Sequence, residues 1–209
     1  MADRRGRLPR RAAVGSTAWV WLCVALSLAG CARQPDPSGG WITLLDGSDL
    51  DGWSIVGDAN WRAVDGSVQA DHGVGFLVSR RSYGDVLVRV EVFVEPTVNS
   101  GIFIRCVDGS QLATLTPERC YEINLFDTRP DPTYGTGSIV LRSPVSPMPK
   151  AAGRWSTFEI SAKGPRITVN LNGEQTAELT DGTFRQGPIA LQYQGSGVAR
   201  FRRVLIKPL

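Results

Sequence analysis

From Trp41 onward the chain is built on a period of two, and that spacing constrains the fold more than any other feature. Apolar or β-branched residues alternate with polar ones, or run together briefly, between clusters of Gly, Pro, Asn and Asp. Successive side chains of a strand point to opposite faces, whereas a helix needs apolar residues three and four apart. The segments 85–95, 100–106, 121–126, 156–162, 166–171, 188–194 and 198–206 therefore read as strands, and no helix of any length is expected. Between 166–171 and 174–179 stands Asn172-Gly173, a pair that tolerates the positive φ of a tight hairpin turn. Roughly a dozen strands with no repeat of fixed period predict an all-β sandwich rather than a propeller.

Strand parity says which side chains share a face. In the stretch CYEINLFD, Cys120 to Asp127, the residues Tyr121, Ile123 and Leu125 lie on one side and Glu122, Asn124 and Phe126 on the other. Ile102, Ile104 and Cys106 oppose Phe103 and Arg105, and Gln192 and Gln194 oppose Ile189, Leu191 and Tyr193. One face of this sheet is thus apolar. The other carries a carboxylate, amides and aromatic rings, the mixture that a sugar's hydroxyls and C–H faces require. Trp53, Trp61, Phe103 and Phe126 are rings that could stack there, although tryptophans such as Trp53 and Trp61 more often serve a core. The spacing of Glu122, Asn124 and Asp127 approaches the E-x-D-x-x-E pattern of retaining β-glucanases. Here the middle acid is an amide, the last is one methylene shorter, and a β-bulge is needed to turn Asp127 onto the same face.

Arg4, Arg5, Arg7, Arg10 and Arg11 precede an uncharged run, 12–30, that ends in Leu28-Ala29-Gly30-Cys31. A basic segment followed by an apolar one is the pattern of an export signal, and the closing tetrad resembles a bacterial lipobox, whose cysteine is lipidated. The reading is a lipoprotein signal peptide over 1–30, lipidation at Cys31, a tether over 31–40 and one domain over 41–209. Such a protein is held at the bacterial cell envelope by its lipid, facing the periplasm or the exterior. A retained membrane helix is the alternative, since nineteen uncharged residues nearly span a bilayer. The formal charge of +3 belongs to the signal: five of the 23 Lys and Arg and one of the 20 Asp and Glu precede Cys31, leaving 18 bases against 19 acids, a net charge of −1. With no basic patch interleaved with aromatics, nucleic acid is excluded as a partner.

Cys106 and Cys120 remain once Cys23 goes with the signal and Cys31 is lipidated. In an oxidising compartment they form a candidate disulfide closing a loop of about fifteen residues. Their parities disagree, so the bridge needs an irregularity at one strand end. A metal site is the rival reading, with only the distant His72, on a loop or strand end, to join them.

The stretches LLDGSDLDGW, WRAVDGSV, GFLVSRRSYGDVLVRVEV, NSGIFIRC, CYEINLFD, GTGSIV, GRWSTFEI, ITVNLNGE, GPIALQ and FRRVLIKPL follow one another in that order. Over 41–209 the chain thereby resembles the 3-keto-disaccharide hydrolase domain family. The resemblance implies a concanavalin A-like jelly-roll β-sandwich and a role on sugars oxidised at C3. Asn124 stands where members have glutamine, and Leu191-Gln192 is followed by Tyr193 and Gln194 where some members have a histidine, which removes a natural general base or metal ligand.

A ketone at C3 of a glycoside acidifies the C2 proton, so a modest base can remove it and the C1 substituent can leave by β-elimination. Water adding back completes a net hydrolysis. These steps need a base, a donor or positive charge at the C3 oxygen, and a donor at the leaving oxygen. The expected assignment is Glu122 as base, Arg105 at the enolate oxygen, Asp127 or Tyr134 as acid, and Asn124 and Gln192 on substrate hydroxyls. From the family match, Asn99 and Ser100 bind at the rim; Tyr134 rides on the proline-stiffened loop 129–137. No cofactor is evident, and a divalent metal stays open. Other readings remain: Arg105 and Glu122 as a plain cross-strand ion pair on an exposed face, a lectin-like module that binds carbohydrate without catalysis, and an ordinary β-glucanase.

Overall fold

The computed structural model describes residues 39–209. The expected signal peptide, the lipidation site at Cys31 and nearly all of the tether lie outside the described residues. The strands are β1 (Ile42–Leu45), β2 (Trp53–Gly57), β3 (Arg62–Val64), β4 (Ser67–Ala70), β5 (Val74–Tyr83), β6 (Val86–Val94), β7 (Val98–Ile104), β8 (Tyr121–Leu125), β9 (Ser156–Lys163), β10 (Arg166–Leu171), β11 (Glu174–Thr180), β12 (Gly187–Gly195) and β13 (Ala199–Pro208). Among the described residues the only helical pieces are single 3-10 turns at Leu112–Thr114 and Pro132–Tyr134.

Two antiparallel sheets result, the expected all-β jelly-roll sandwich. One has eight strands, ordered β11-β10-β9-β6-β13-β4-β3 with β1 also on β13; the other has five, ordered β2-β5-β12-β7-β8. β6 shows why the sequence takes this form: Val86, Val88, Val90, Val92 and Val94 are buried while the residues between them are partly exposed. The period of two thus becomes one apolar face. That face meets Leu77, Ile102, Ile123, Leu191 and Tyr193 of the five-stranded sheet. Each fully buried aliphatic side chain contributes about 1.5–3 kcal/mol, so the core is the dominant stabilising term. Trp53 and Trp61 belong to this core, at 3% and 4% exposure. The Asn172-Gly173 turn has φ of 52° and 89°, as a primed hairpin turn demands.

A second apolar cluster lies on the outer face of the five-stranded sheet. Phe76, Val78, Phe103, Cys106, Leu115, Cys120 and Ala190 pack there, and Cys106 is bonded to Cys120. The irregularity that the bridge requires is at Arg105. Its φ of 53° breaks the alternation after β7 and brings Cys106 into the same cluster as Phe103. Beyond β8, the segment 137–140 covers the sheet edge: Asn124 N donates to Ser138 O, Gly137 N to Asn124 O and Val140 N to Glu122 O. All five residues of β8 are consequently buried, polar ones included.

Candidate functional site

The polar groups of the outer face are arranged by strand register. Gly101 of β7 stands between Gln192 of β12 and Asn124 of β8, and Phe103 stands between Ala190 and Glu122. Residues two apart on one strand share a face, so these form adjacent rows of one surface. The row through Phe103 continues across β5 and β2 to Val78 and Ser54. Phe103 meets Phe76 edge to face, with centroids 5.0 Å apart, and gives the row its apolar floor. At its far end a groove of about 500 Å³ opens between Ser54, Val56, Val78 and the loop residues Asp108 and Ser110. Four interstrand steps put Glu122 roughly 19 Å from that end.

Gly101 lets neighbouring side chains close over the backbone in the other row. A Cβ there would lie 3.4 Å from Gln192 Oε1 and 3.2 Å from the Phe103 ring. On either side of Gly101 is a buried acceptor without a donor. Asn124 Nδ2 donates to Tyr134 O, but Asn124 Oδ1 and Gln192 Oε1 have no hydrogen-bond partner among the described residues. A buried acceptor left unpaired costs about 1–3 kcal/mol, so native proteins retain few. Two of them, one on either side of Gly101, are acceptors that a hydroxyl donor would complete.

Glu122 is beside them, 8% exposed. Burial, reinforced by the charge of Glu118 and opposed by that of Arg129, raises its carboxyl to about 7. Near neutral pH such a group exists in both protonation states, the condition for taking and returning a proton. Arg129 is held with its guanidinium carbon 4.5 Å from the centroid of the Tyr134 ring.

Three expected site residues are placed elsewhere. Arg105 is 1% exposed and does not pair with Glu122. It donates to Gly84 O at 3.2 Å and Gly164 O at 2.7 Å and forms an ion pair with Asp85 at 3.1 Å. The left-handed backbone at Arg105 explains the correction, because the alternation that would align it with Phe103 stops there. The exposed Arg105–Glu122 ion pair is excluded with it. Asp127 lies beyond the end of β8, and its carboxylate accepts from Thr136 Oγ1 and from the amides of Ala151 and Ala152 at 2.7–3.1 Å. Those bonds anchor two loops and occupy the carboxylate oxygens. Ser100, fully buried, shares the parity of Ile102 and faces the inter-sheet core, where its hydroxyl donates to Gln192 O.

Asn99 is on the outer face, and its Nδ2 donates to Gln194 Oε1 at 3.3 Å. His72 is exposed. Among the described residues no group of three or more His, Cys, Asp and Glu is placed to hold a metal ion. Sequence reasoning missed Arg129, Glu118 and Gly101. For Gly101 the signal was available, since a lone glycine inside a strand pattern marks a place that something approaches closely.

The fold is similar to solved structures of carbohydrate-related proteins. A candidate glycosyl hydrolase from Parabacteroides distasonis superimposes with a TM-score of 0.72 at 18% identity, covering 82% of this chain and 95% of that one. The carbohydrate-binding module CBM66 from Bacillus subtilis gives 0.58 at 17% identity, over 75% and 95% of the two chains. The β-glucanase of Bacillus licheniformis gives 0.58 at 16%, over 82% and 100%. At these identities the likeness establishes the sandwich fold. A comparison with curated proteins returns no match. Residues 40–207 match the model of the 3-keto-alpha-glucoside-1,2-lyase-like domain, and the chain belongs to that family.

Proposed function

We propose that this protein is a carbohydrate-active enzyme that cleaves 3-keto-glycosides by β-elimination, with Glu122 as the base at C2. The observation that carries the reading is the buried Glu122 carboxyl, raised to about 7, beside the orphan acceptors of Asn124 and Gln192. Sugar hydroxyls donate to those two oxygens and set the ring over Gly101. The Glu122 carboxylate removes the C2 proton, and the electron pair forms an enolate with the C3 oxygen. The enolate collapses to the ketone, a C1–C2 double bond forms and the C1–O bond breaks. The leaving oxygen takes the proton that Glu122 holds. Addition of water would then run the same group in reverse: Glu122 takes a proton from water, the hydroxide adds at C1, and the proton returns to C2. Net hydrolysis balances, and without that second step the enzyme is a lyase. Arg129 takes the part expected of Arg105, as the cation whose charge bears on Glu122 and on the developing enolate.

The test is turnover of a chromogenic 3-keto-glucoside beside the plain glucoside by wild type and by Glu122→Gln. Cleavage of the keto-sugar alone, lost in the variant, is the expected result. Sugar binding with no cleavage by either protein would make the domain a carbohydrate-binding module. We further propose that the mature protein is lipid-anchored through Cys31 at the cell envelope, on the strength of the tetrad Leu28-Ala29-Gly30-Cys31. Cys31→Ser should release it from membranes. Retention after an alkaline wash would point to an uncleaved helix.

A further inference from the structure

The opposite sheet carries a second polar surface. Strict alternation along β13 would place Arg200 and Arg202 outward and turn Arg203 into the core. The register of β13 on β6 slips between Phe201 and Arg203, and this bulge exposes Arg202 and Arg203 together while Phe201 and Val204 stay buried. Two of the guanidiniums lie against rings. Arg202 is 4.4 Å from the centroid of Trp155 and Arg200 is 5.8 Å from that of Phe93, and those two rings are 6.0 Å apart. Trp155 is 37% exposed.

Beside this stack is a groove of about 390 Å³, bordered by Trp155, Arg200 and Arg202 and by Ser67 and Gln69, with the Asp65-Gly66 turn at its lip. Ser67 and Gln69 are 5% and 8% exposed. Glu91 pairs with Arg202 through Nε and with Arg203 at 3.5 Å. Its one charge is shared between them, and Arg200 has no ion pair among the described residues.

We propose that this groove is a second saccharide site, for a carboxylate-bearing sugar chain such as a polyuronate. A guanidinium held over an aromatic ring is restrained in orientation, and its planar fork matches a carboxylate bidentately. The exposed indole offers a surface for the C–H face of a ring, while the Gln69 amide and Ser67 hydroxyl suit its hydroxyls. A recessed groove with a polar floor fits a chain of rings better than the flat surface of an anionic membrane. The site is on the other sheet from Glu122, so polymer holding and bond cleavage are physically separate, and the inference does not rest on the cleavage reading.

The test is titration calorimetry of the full domain with oligogalacturonate, alongside a neutral cello-oligosaccharide, dextran sulfate and phosphatidylglycerol vesicles. Oligogalacturonate should bind and the neutral chain should not. Binding should weaken as salt rises and should fall by about tenfold or more in Arg200→Met/Arg202→Met and in Trp155→Ala. The double Lys variant should recover only part, because an ammonium lacks the planar fork. Glu122→Gln should bind as wild type does. The double Met variant changes only exposed side chains, so a thermal midpoint near that of wild type shows that it is folded. The proposal is overturned if that folded variant binds undiminished or if the neutral chain binds equally well. It is also overturned if only dextran sulfate binds, or if only the vesicles do, the surface then being a membrane contact.

Discussion

Replacing Glu122 by glutamine removes a charge and keeps the shape, and it reads the site in two independent ways. The carboxyl is raised from 4.5 to about 7, first by burial and then by Glu118, against Arg129. As a base it acts when ionised, so wild-type kcat/KM should rise as pH climbs through about 7 and then level off. The glutamine variant should turn over about 10²–10⁴ times more slowly with KM little changed. The same group also couples folding to pH. Between 4.5 and about 7 the folded chain holds a proton that the unfolded chain has released. The associated stability is therefore fully present below 4.5 and is lost as pH rises through about 7. At 1.36 kcal/mol per pH unit, wild type loses about 3 kcal/mol from this group between about pH 4 and pH 8. Glutamine does not titrate, so the stability of the variant relative to wild type should be about 3 kcal/mol more favourable at the upper pH than at the lower. Urea unfolding at both pH values measures that difference, and initial rates on the 3-keto-glucoside measure the first. If the relative stability does not change with pH, the carboxyl is not held in the buried setting described. If the stability arm behaves as expected but turnover is undiminished, Glu122 is buried as described and the base is another group.

Arg105→Met should destabilise the fold by about 3 kcal/mol, because a buried guanidinium and its acceptors lose their bonds; the pH midpoint of activity, measured on folded protein, should stay where it is. Gln192→Leu removes an unpaired buried acceptor, so its urea midpoint should be equal or higher while kcat/KM falls about tenfold or more. Replacing Cys106 and Cys120 by alanine opens a loop of 14-residue separation and should cost about 3 kcal/mol in the chain-entropy account. The bridge packs with Phe103 and Leu115, close to Glu118 in the chain, so the same variant should shift the activity midpoint down toward the ordinary carboxylate range.

The period of two, the Asn172-Gly173 turn and the parities of Glu122, Asn124, Gln192 and Phe103 were legible in the sequence because each is a local property. Alternation sets which face a side chain takes as long as the strand stays regular, and these positions lie within regular strands. The assignments that failed lie where regularity ends. Arg105 follows a residue that closes β7, and one left-handed φ carries its guanidinium away from Glu122 to the Gly84 and Gly164 carbonyls. Asp127 looked like the third acid of a glucanase pattern, yet its partners, Ala151 and Ala152, are amides 24 and 25 residues away. The β13 bulge that exposes Arg203 is likewise invisible to strict alternation. Burial is the other quantity the sequence withheld. The loops that cover β8 turn an apparently open polar face into a low-dielectric one, and that desolvation, which depends on every segment packed above the strand, makes Glu122 a group that titrates near neutrality.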